Sequence, residues 1–337
     1  MNDKINLYPV KFKKRYGYID KEGNLLIECK FNYAEEFEGD LAIASIDEKY
    51  GFINKAGEFV IEPKYDEVQQ FSEGLAAIKS EEKKGFIDLT GKVIVDPKYE
   101  EVNFFIEGRA AIKSGYMWGY IDNTGTEIVK PNYLDASDFS EGLAAVQVGG
   151  KIAYIDKEGK VIIDANYDYA HPFKDGVAPV CLNGKYGYIN NKGEAIIPLR
   201  YNVCGEFNEG LAPVEIREKY GFIDCAGELA IKPKFQWADR FYNGIATISE
   251  DEKYGCIDKN GNIVVPTKFD DVDIMSEGLI AVLVGEKWGY IDVKGEIVIE
   301  PSYVEAYEFI DGIARVEIGK RIGYINKSGE YIWELQS

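Results

Sequence analysis

The sequence predicts an all-β protein made of ten tandem units, each 34 residues long and each folding as a three-stranded antiparallel meander. Three observations carry this prediction. A glycine recurs every 34 residues from Gly17 to Gly323, and only Ala153 departs from that column. A second glycine column runs from Gly23 to Gly329 without exception. The isoleucine two places after the first glycine is present in all ten units.

The register of the repeat extends to the first residues. Leu7-Tyr8-Pro9-Val10 is in phase with Leu211-Ala212-Pro213-Val214, so units begin at residues 7, 41, 75, 109, 143, 177, 211, 245, 279 and 313. Nine units are complete and the tenth has 25 residues. No insertion interrupts the series. We therefore expect residues 1–337 to form one repeat domain, whereas length alone, at about 150 residues per domain, suggests two.

The first strand of a unit, strand A, is represented by Leu143–Val148. One of its faces starts with small residues, as at Ala144, which predicts close approach between units. Its other face carries proline at the same position in three units, Pro9, Pro179 and Pro213. Because proline cannot donate to a β-ladder, strand A is predicted at a sheet edge, which favours discrete small sheets.

The rest of a unit consists of two strands and a connection. Strand B is represented by Trp118–Ile121, and Asp122–Gly125 then has the signature of a type I turn closed by a left-handed residue. Strand C follows, as at Glu296–Glu300. A connection such as Tyr65–Gly74 leads to the next strand A, and aromatic columns along it predict a core completed by stacking of neighbouring units.

Two arrangements of the ten units satisfy this pattern. We favour an open superhelix, or solenoid, because nearest-neighbour stacking needs no closure and no strand at the end of the chain visibly completes a shared sheet. The alternative is a closed, propeller-like toroid. Ten blades would exceed the four to eight that are usual for propellers.

Composition excludes several classes of function. The net charge of −19, from 39 Lys and Arg against 58 Asp and Glu, argues against nucleic acid and anionic membranes as partners. A single histidine excludes sites that need two imidazoles. The first residues contain no apolar stretch typical of a signal peptide, and five scattered cysteines indicate reduced thiols, so a cytoplasmic protein is predicted.

The repeated phrase resembles the bacterial WG-repeat family, also called KWG repeats. The family pattern is a Trp-Gly-Tyr-Ile-Asp core, a turn glycine, a Pro-x-Tyr-Asp phrase and a Phe-x-Glu-Gly-Leu-Ala phrase. Trp118-Gly119 and Trp288-Gly289 carry the namesake pair, and Tyr usually replaces Trp elsewhere, as at Tyr50. The resemblance covers Leu7 to Trp333. It implies a β-rich repeat scaffold without a common activity or common catalytic residues.

Candidate site residues are few, and each has a structural interpretation that we favour. Asp258–Asn262 resembles part of a calcium loop but belongs to the repeated turn. His171 has no nucleophile constellation around it, and Cys181 and Cys204 are interpreted as small apolar residues. A third glycine column runs from Gly74 to Gly312, and the acidic column just before it is interpreted as solvated turn positions or, alternatively, as a docking stripe for a basic partner. Its members are Glu73, Glu107, Glu141, Asp175, Glu209, Glu277 and Asp311.

The predicted function is a non-enzymatic scaffold that binds another protein, with no catalytic residue, metal or cofactor. Carbohydrate or small-ligand binding is an alternative. It requires Trp118, Trp288 and the column of Tyr16 to be exposed and aligned. A second alternative is a neutralising, immunity-type partner of a basic protein, which the net charge would steer to its target. The partner, the binding face and the oligomeric state do not follow from the sequence.

Overall fold

Each repeat of the sequence forms one small antiparallel sheet. The computed structural model describes residues 6–319 and 321–334 and contains 37 strands in ten sheets, and no helix occurs in those ranges. Sheets are numbered here in chain order. Contact between Cα atoms divides the chain into two compact groups, Met1–Lys30 with Tyr201–Ser337 and Phe31–Arg200. The ends of the predicted domain, 1–5 and 335–337, and residue 320 lie outside the described residues.

Five sheets belong to the second group. Sheet 2 contains β4 (Tyr33–Ala34), β5 (Ala42–Ile46), β6 (Lys49–Ile53) and β7 (Phe59–Tyr65); sheet 3 contains β8 (Glu67–Val68), β9 (Leu75–Ser80), β10 (Lys83–Asp88) and β11 (Val93–Tyr99); sheet 4 contains β12 (Glu101–Val102), β13 (Arg109–Ser114), β14 (Met117–Asp122) and β15 (Glu127–Tyr133); sheet 5 contains β16 (Leu143–Val148), β17 (Lys151–Asp156) and β18 (Val161–Tyr167); sheet 6 contains β19 (Tyr169–Ala170), β20 (Val177–Leu182), β21 (Lys185–Asn190) and β22 (Ala195–Tyr201).

The other five sheets belong to the first group. Sheet 1 contains β1 (Tyr8–Phe12), β2 (Arg15–Ile19) and β3 (Leu25–Phe31); sheet 7 contains β23 (Leu211–Ile216), β24 (Lys219–Asp224) and β25 (Leu229–Phe235); sheet 8 contains β26 (Trp237–Ala238), β27 (Ile245–Glu250), β28 (Lys253–Asp258) and β29 (Ile263–Phe269); sheet 9 contains β30 (Asp271–Ser276), β31 (Leu279–Val284), β32 (Lys287–Asp292) and β33 (Ile297–Tyr303); sheet 10 contains β34 (Glu305–Ile310), β35 (Ile313–Ile318), β36 (Arg321–Asn326) and β37 (Tyr331–Trp333).

The prediction of three strands per unit is incomplete, because seven of the ten sheets have four. The extra strand comes from the connecting segment and pairs with strand A, so strand A is at an edge only in sheets 1, 5 and 7. Pro179 lies inside β20 between two partners. The His171 carbonyl opposite it accepts from the Tyr154 hydroxyl at 2.6 Å. The Ser137 carbonyl accepts from the Tyr120 hydroxyl in the same way at 2.7 Å, although Ala145 stands opposite it, so the missing N–H breaks no bond of the repeat.

Strand C lies directly over the first glycine column, which explains why glycine recurs there. A Cβ built on Gly119 would stand 2.3 Å from the Val129 carbonyl oxygen and 2.6 Å from the Pro131 nitrogen. Side chains cannot approach backbone atoms this closely. The pairing of β14 with β15 shifts register at this point, so the bulge in strand C requires a residue without a side chain on strand B.

Neighbouring sheets share their cores within each group. In one cluster, Phe86 of sheet 3 packs with Phe105, Ala110 and Ile112 of sheet 4, and all four are buried. The ring centroids of Phe86 and Phe105 are 4.8 Å apart. The same contact joins Tyr120 to Phe139 at 4.9 Å in the next pair of sheets. In six pairs of neighbouring sheets the connecting segment supplies an aromatic ring that covers the preceding sheet, whereas Met275 packs at this position between sheets 8 and 9.

The open superhelix is wrong, because sheet 10 packs on sheet 1 within the same group. Tyr8, Val10 and Ile19 of sheet 1 form one buried cluster with Ile313 and Tyr324 of sheet 10. The Tyr324 hydroxyl donates to the Pro9 carbonyl at 3.0 Å, and Asp311 accepts from the Tyr8 hydroxyl at 2.7 Å. The ten sheets are the blades of a closed β-propeller, the alternative arrangement considered from the sequence.

Side-chain packing, rather than strand exchange, closes the propeller. Tyr8 occupies a position that alanine holds in eight other units, and its ring lies 5.9 Å from the ring of Tyr324. This ring takes the place that a phenylalanine of the connecting segment, such as Phe105, takes at other junctions. The open superhelix is favoured from the sequence because no strand at the end of the chain completes a shared sheet. The sign of closure is instead Tyr8, a large residue in a column of small residues.

Candidate functional site

The acidic column joins consecutive sheets. Glu107 and Gly108 both have left-handed backbone, with φ of 54° and 77°, as the turn before strand A requires. Turned outward in this way, the Glu107 carboxylate accepts the backbone N–H groups of Glu141 and Gly142 at 2.7 and 2.9 Å. The next turn repeats the contact, since Glu141 accepts from Gly176 at 2.9 Å.

Lysine side chains neutralise part of this column. Lys157 lies 3.1 Å from Glu107, and Lys259 lies 3.0 Å from Glu209. Partial burial alone would raise the pKa of Glu107, but the Gly142 N–H, the Lys157 ammonium and the Glu141 N–H together hold that pKa below its usual range. These carboxylates are engaged within the fold, so the column offers less to an external partner than its sequence pattern indicates.

A second ionic contact recurs at the opposite end of the sheets, where strands A and B turn. Asp168 lies 2.5 Å from Lys151 of the preceding sheet and accepts the N–H of Asn183 in its own sheet at 2.7 Å. The Lys151 ammonium and the Asn183 N–H lower the pKa of Asp168. Equivalent pairs join Lys49 to Asp66, Lys83 to Glu100 and Lys253 to Asp270.

One unit replaces this ionic contact with apolar residues. Met117 and Leu134 occupy the positions that Lys151 and Asp168 hold in the next unit, and they are 37% and 53% exposed. Tyr116, beside them in the hairpin turn, is 89% exposed. Gly115 is the first central residue of a type II′ turn and has φ of 63°. The turn presents the ring of Tyr116, its second central residue, to solvent. No repeat pattern revealed this patch, because it consists of departures from the pattern.

The aromatic rings considered for ligand stacking do not expose their faces to solvent. Trp118 and Trp288 are half-buried and pack against the cores of their sheets, and Tyr16 is half-buried as well. The aromatic column two residues further on is fully buried, as at Tyr120, whose hydroxyl donates to the Ser137 carbonyl at 2.7 Å. Exposed, aligned rings were the condition for carbohydrate binding, and these columns do not meet it.

The remaining candidates have structural roles. The ring of His171 is half-buried and meets Tyr169 edge to face at 5.0 Å. The Asp258 carboxylate accepts the N–H groups of Asn260 and Asn262 at 2.9 Å each, as an Asx turn does. Cys181 and Cys204 are buried. Across residues 6–319 and 321–334, no three His, Cys, Asp or Glu side chains are grouped to hold a metal ion.

The repeated geometry agrees with a known family. The family model for the WG containing repeat matches nine consecutive segments, at 16–50, 50–83, 85–117, 118–151, 153–186, 186–220, 220–254, 254–288 and 288–321. The chain belongs to the WG-repeat family. In this WG-repeat chain the namesake glycine is the residue on which the bulge of strand C lies, and the aromatic residue before it lies half-buried beside that bulge.

One solved structure supports the fold, and nothing beyond the fold. A eukaryotic initiation factor structure aligns with a TM-score of 0.58 and 11% identity, covering 99% of this chain and 98% of that one. The dihydro-heme d1 dehydrogenase NirN aligns with a TM-score of 0.46 and 14% identity, covering 99% and 74%. BamB from Moraxella catarrhalis aligns with a TM-score of 0.40 and 10% identity, covering 79% and 95%. No curated protein matches the sequence. In the described ranges no helix is long and apolar enough to cross a membrane.

Proposed function

We propose that this WG-repeat chain is a non-enzymatic scaffold that binds another protein. One observation carries the proposal. The residues that recur in the units serve the fold, as Gly119 does beneath strand C and Glu107 does between sheets. The residues that vary stand on turns and sheet edges, where Tyr116 is the most exposed large apolar side chain. A constant frame with variable exposed positions is the usual basis of recognition in repeat proteins.

The proposal includes a single functional domain and a reducing compartment. Five cysteines, four of them at least partly buried, fit a compartment that keeps thiols reduced. Catalysis is not part of the proposal, since the one histidine and the buried thiols serve as packing groups.

Affinity capture from the native cell with mass spectrometry tests the proposal. The intact chain is compared with a Tyr116→Ser, Met117→Lys variant, and with Lys160→Ser, a change at an exposed turn of the repeat, as the control. We expect the intact chain to retain one protein at constant stoichiometry. The same protein should be recovered in a reciprocal capture. Absence of a reproducible partner, with all three preparations folded, would refute the scaffold proposal.

A further inference from the structure

The net charge is concentrated in two consecutive units. Residues 245–312 contain 15 acidic residues and five Lys or Arg, a net charge of −10 within a total of −19. These units supply most of sheets 8 and 9 and the first strand of sheet 10, all in one compact group. Every other unit has a smaller net negative charge, so the excess of carboxylates is local to these two units.

The free edges of sheets 9 and 10 display part of this charge. In both sheets the connecting segment forms a full six-residue strand, β30 or β34, whereas in five other sheets the equivalent strand has two residues. Asp271, Asp273, Glu305 and Glu308 are exposed on these two edge strands. Each strand therefore presents carboxylates along an edge that no other strand of its sheet covers.

Apolar groups lie between the carboxylates. Ile274 is 50% exposed, Tyr307 is 41% exposed and Ile310 is 45% exposed. The Arg315 guanidinium lies 4.9 Å from the centre of the Tyr307 ring and 2.5 Å from Glu317, so this cation is already engaged within the sheet. The edge of the two sheets is thus mixed in character, with exposed apolar side chains among acidic ones.

The carboxylates at the edge of sheet 9 have no oppositely charged residue across the strand pair, whereas the equivalent carboxylate of sheet 3 does. In sheet 3, Glu67 stands opposite Lys79 and the two are 3.1 Å apart. At the same repeat position in sheet 9, Asp271 stands opposite Leu283. Opposite charges across a strand pair stabilise it. Sheet 9 therefore forgoes a stabilising contact that sheet 3 makes.

Sheet 10 departs further, because Glu305 stands opposite Glu317. Like charges placed directly opposite destabilise a pair of strands. Among residues 6–319 and 321–334, no Lys or Arg lies within ion-pair distance of Asp271, Asp273, Glu305 or Glu308. Carboxylates left uncompensated on an exposed edge are complementary to cations supplied by another molecule.

We propose that the exposed edges of β30 and β34 dock a Lys- or Arg-rich segment of a partner protein that carries apolar side chains between its cations. The carboxylates attract the cations, and Ile274, Tyr307 and Ile310 contact the apolar side chains. Because the exposed side chains stand along two extended strands, an extended partner segment matches their spacing. This inference rests on the proposed scaffold function and specifies the partner of one surface.

A matched pair of variants tests the assignment. Asp271→Asn, Glu305→Gln, Glu308→Gln neutralises the proposed surface. Glu67→Gln, Glu101→Gln, Asp135→Asn removes the same charge from sheets 3, 4 and 5, with all three at the repeat position of Asp271. The probe is a fluorescein-labelled synthetic peptide of repeating Lys-Leu-Ser, and binding is followed by fluorescence anisotropy at two salt concentrations.

The surface variant is expected to raise the Kd of the peptide about tenfold and to reduce its salt dependence. The control variant is expected to change the Kd by no more than about twofold. Equal losses in both variants would assign the attraction to net charge and overturn the proposal. Full displacement of the peptide by spermine, which has no apolar side chains, would overturn the assignment to a polypeptide.

The same variants separate this inference from the scaffold proposal. If a captured partner stays bound to the surface variant, the surface is wrong and the scaffold function stands. If the surface variant alone loses the partner, both stand. If the peptide binds as expected but no partner is ever captured, the assignment of the binding surface stands and the scaffold function is wrong.

Discussion

Gly119→Ala probes the contact that defines the repeat. The new methyl group would stand 2.3 Å from the Val129 oxygen and 2.6 Å from the Pro131 nitrogen, whereas a relaxed contact needs about 3.4 Å. Strand β15 would have to move by about 1 Å, and its backbone, unlike a flexible side chain, cannot yield locally. Overpacking of this kind costs about 1–3 kcal/mol, and we expect the upper end because backbone atoms are displaced.

Thermal unfolding followed by circular dichroism or calorimetry measures this cost, with Ala153→Gly as the matched control. Ala153 holds the equivalent position and is buried. It faces β18, which, like β3, is a strand C without proline. Removing its methyl group is expected to destabilise the protein by about 1 kcal/mol, because glycine is a poor strand residue. An unchanged melting temperature for Gly119→Ala would refute the packing argument.

Three further predictions concern the contacts between sheets and the thiols. Glu107→Gln should destabilise the protein by about 1 kcal/mol at neutral pH. Because the fold lowers the pKa of Glu107, the carboxylate stabilises the protein fully above the usual pKa of 4.5, and this stabilisation is lost as pH falls through the lowered pKa of the folded state. Thermal melts of the variant and the native chain should therefore converge in acid. Tyr324→Phe removes the buried hydrogen bond that joins sheet 10 to sheet 1 and should cost about 1 kcal/mol in a urea titration, and an unaltered midpoint would contradict the closing contact. In a timed thiol-labelling assay, exposed Cys225 should react first, whereas burial raises the pKa of Cys256 to about 12 and should delay its labelling until the protein unfolds.

Much of the fold follows from the sequence because each recurring residue reports a local constraint. The turn after strand B needs Asp122 to accept backbone N–H groups and Gly125 to adopt φ of 83°, and both are visible as columns. The family assignment is confirmed for the same reason. The fourth strand is different, because two residues such as Glu67–Val68 form a strand only through pairing with β9 and have no periodicity of their own.

Closure and the acidic column depend on neighbours that a single repeat does not reveal. Tyr8 was a visible exception in an alanine column, yet its meaning depends on the ring of Tyr324 about 300 residues away in the chain. Glu107 looked like a solvated turn residue because its partner, the N–H of Gly142, belongs to the next sheet. Contacts of this kind are set by how sheets pack, and the periodicity of one unit carries no information on them.

The central claim, that the ten sheets close on themselves, is tested most directly by the distance between the first and last sheets. Spin labels on Glu22→Cys and Ser328→Cys, in a chain whose native cysteines are replaced, allow a pulsed electron paramagnetic resonance measurement. Both positions lie in exposed turns of sheets that pack together, since Gly23 abuts Ile332. Closure predicts a short distance, about 20 Å, for neighbouring sheets with flexible labels. An open stack of ten sheets at about 10 Å per layer would separate the labels by about 90 Å, and that result would contradict the closed propeller.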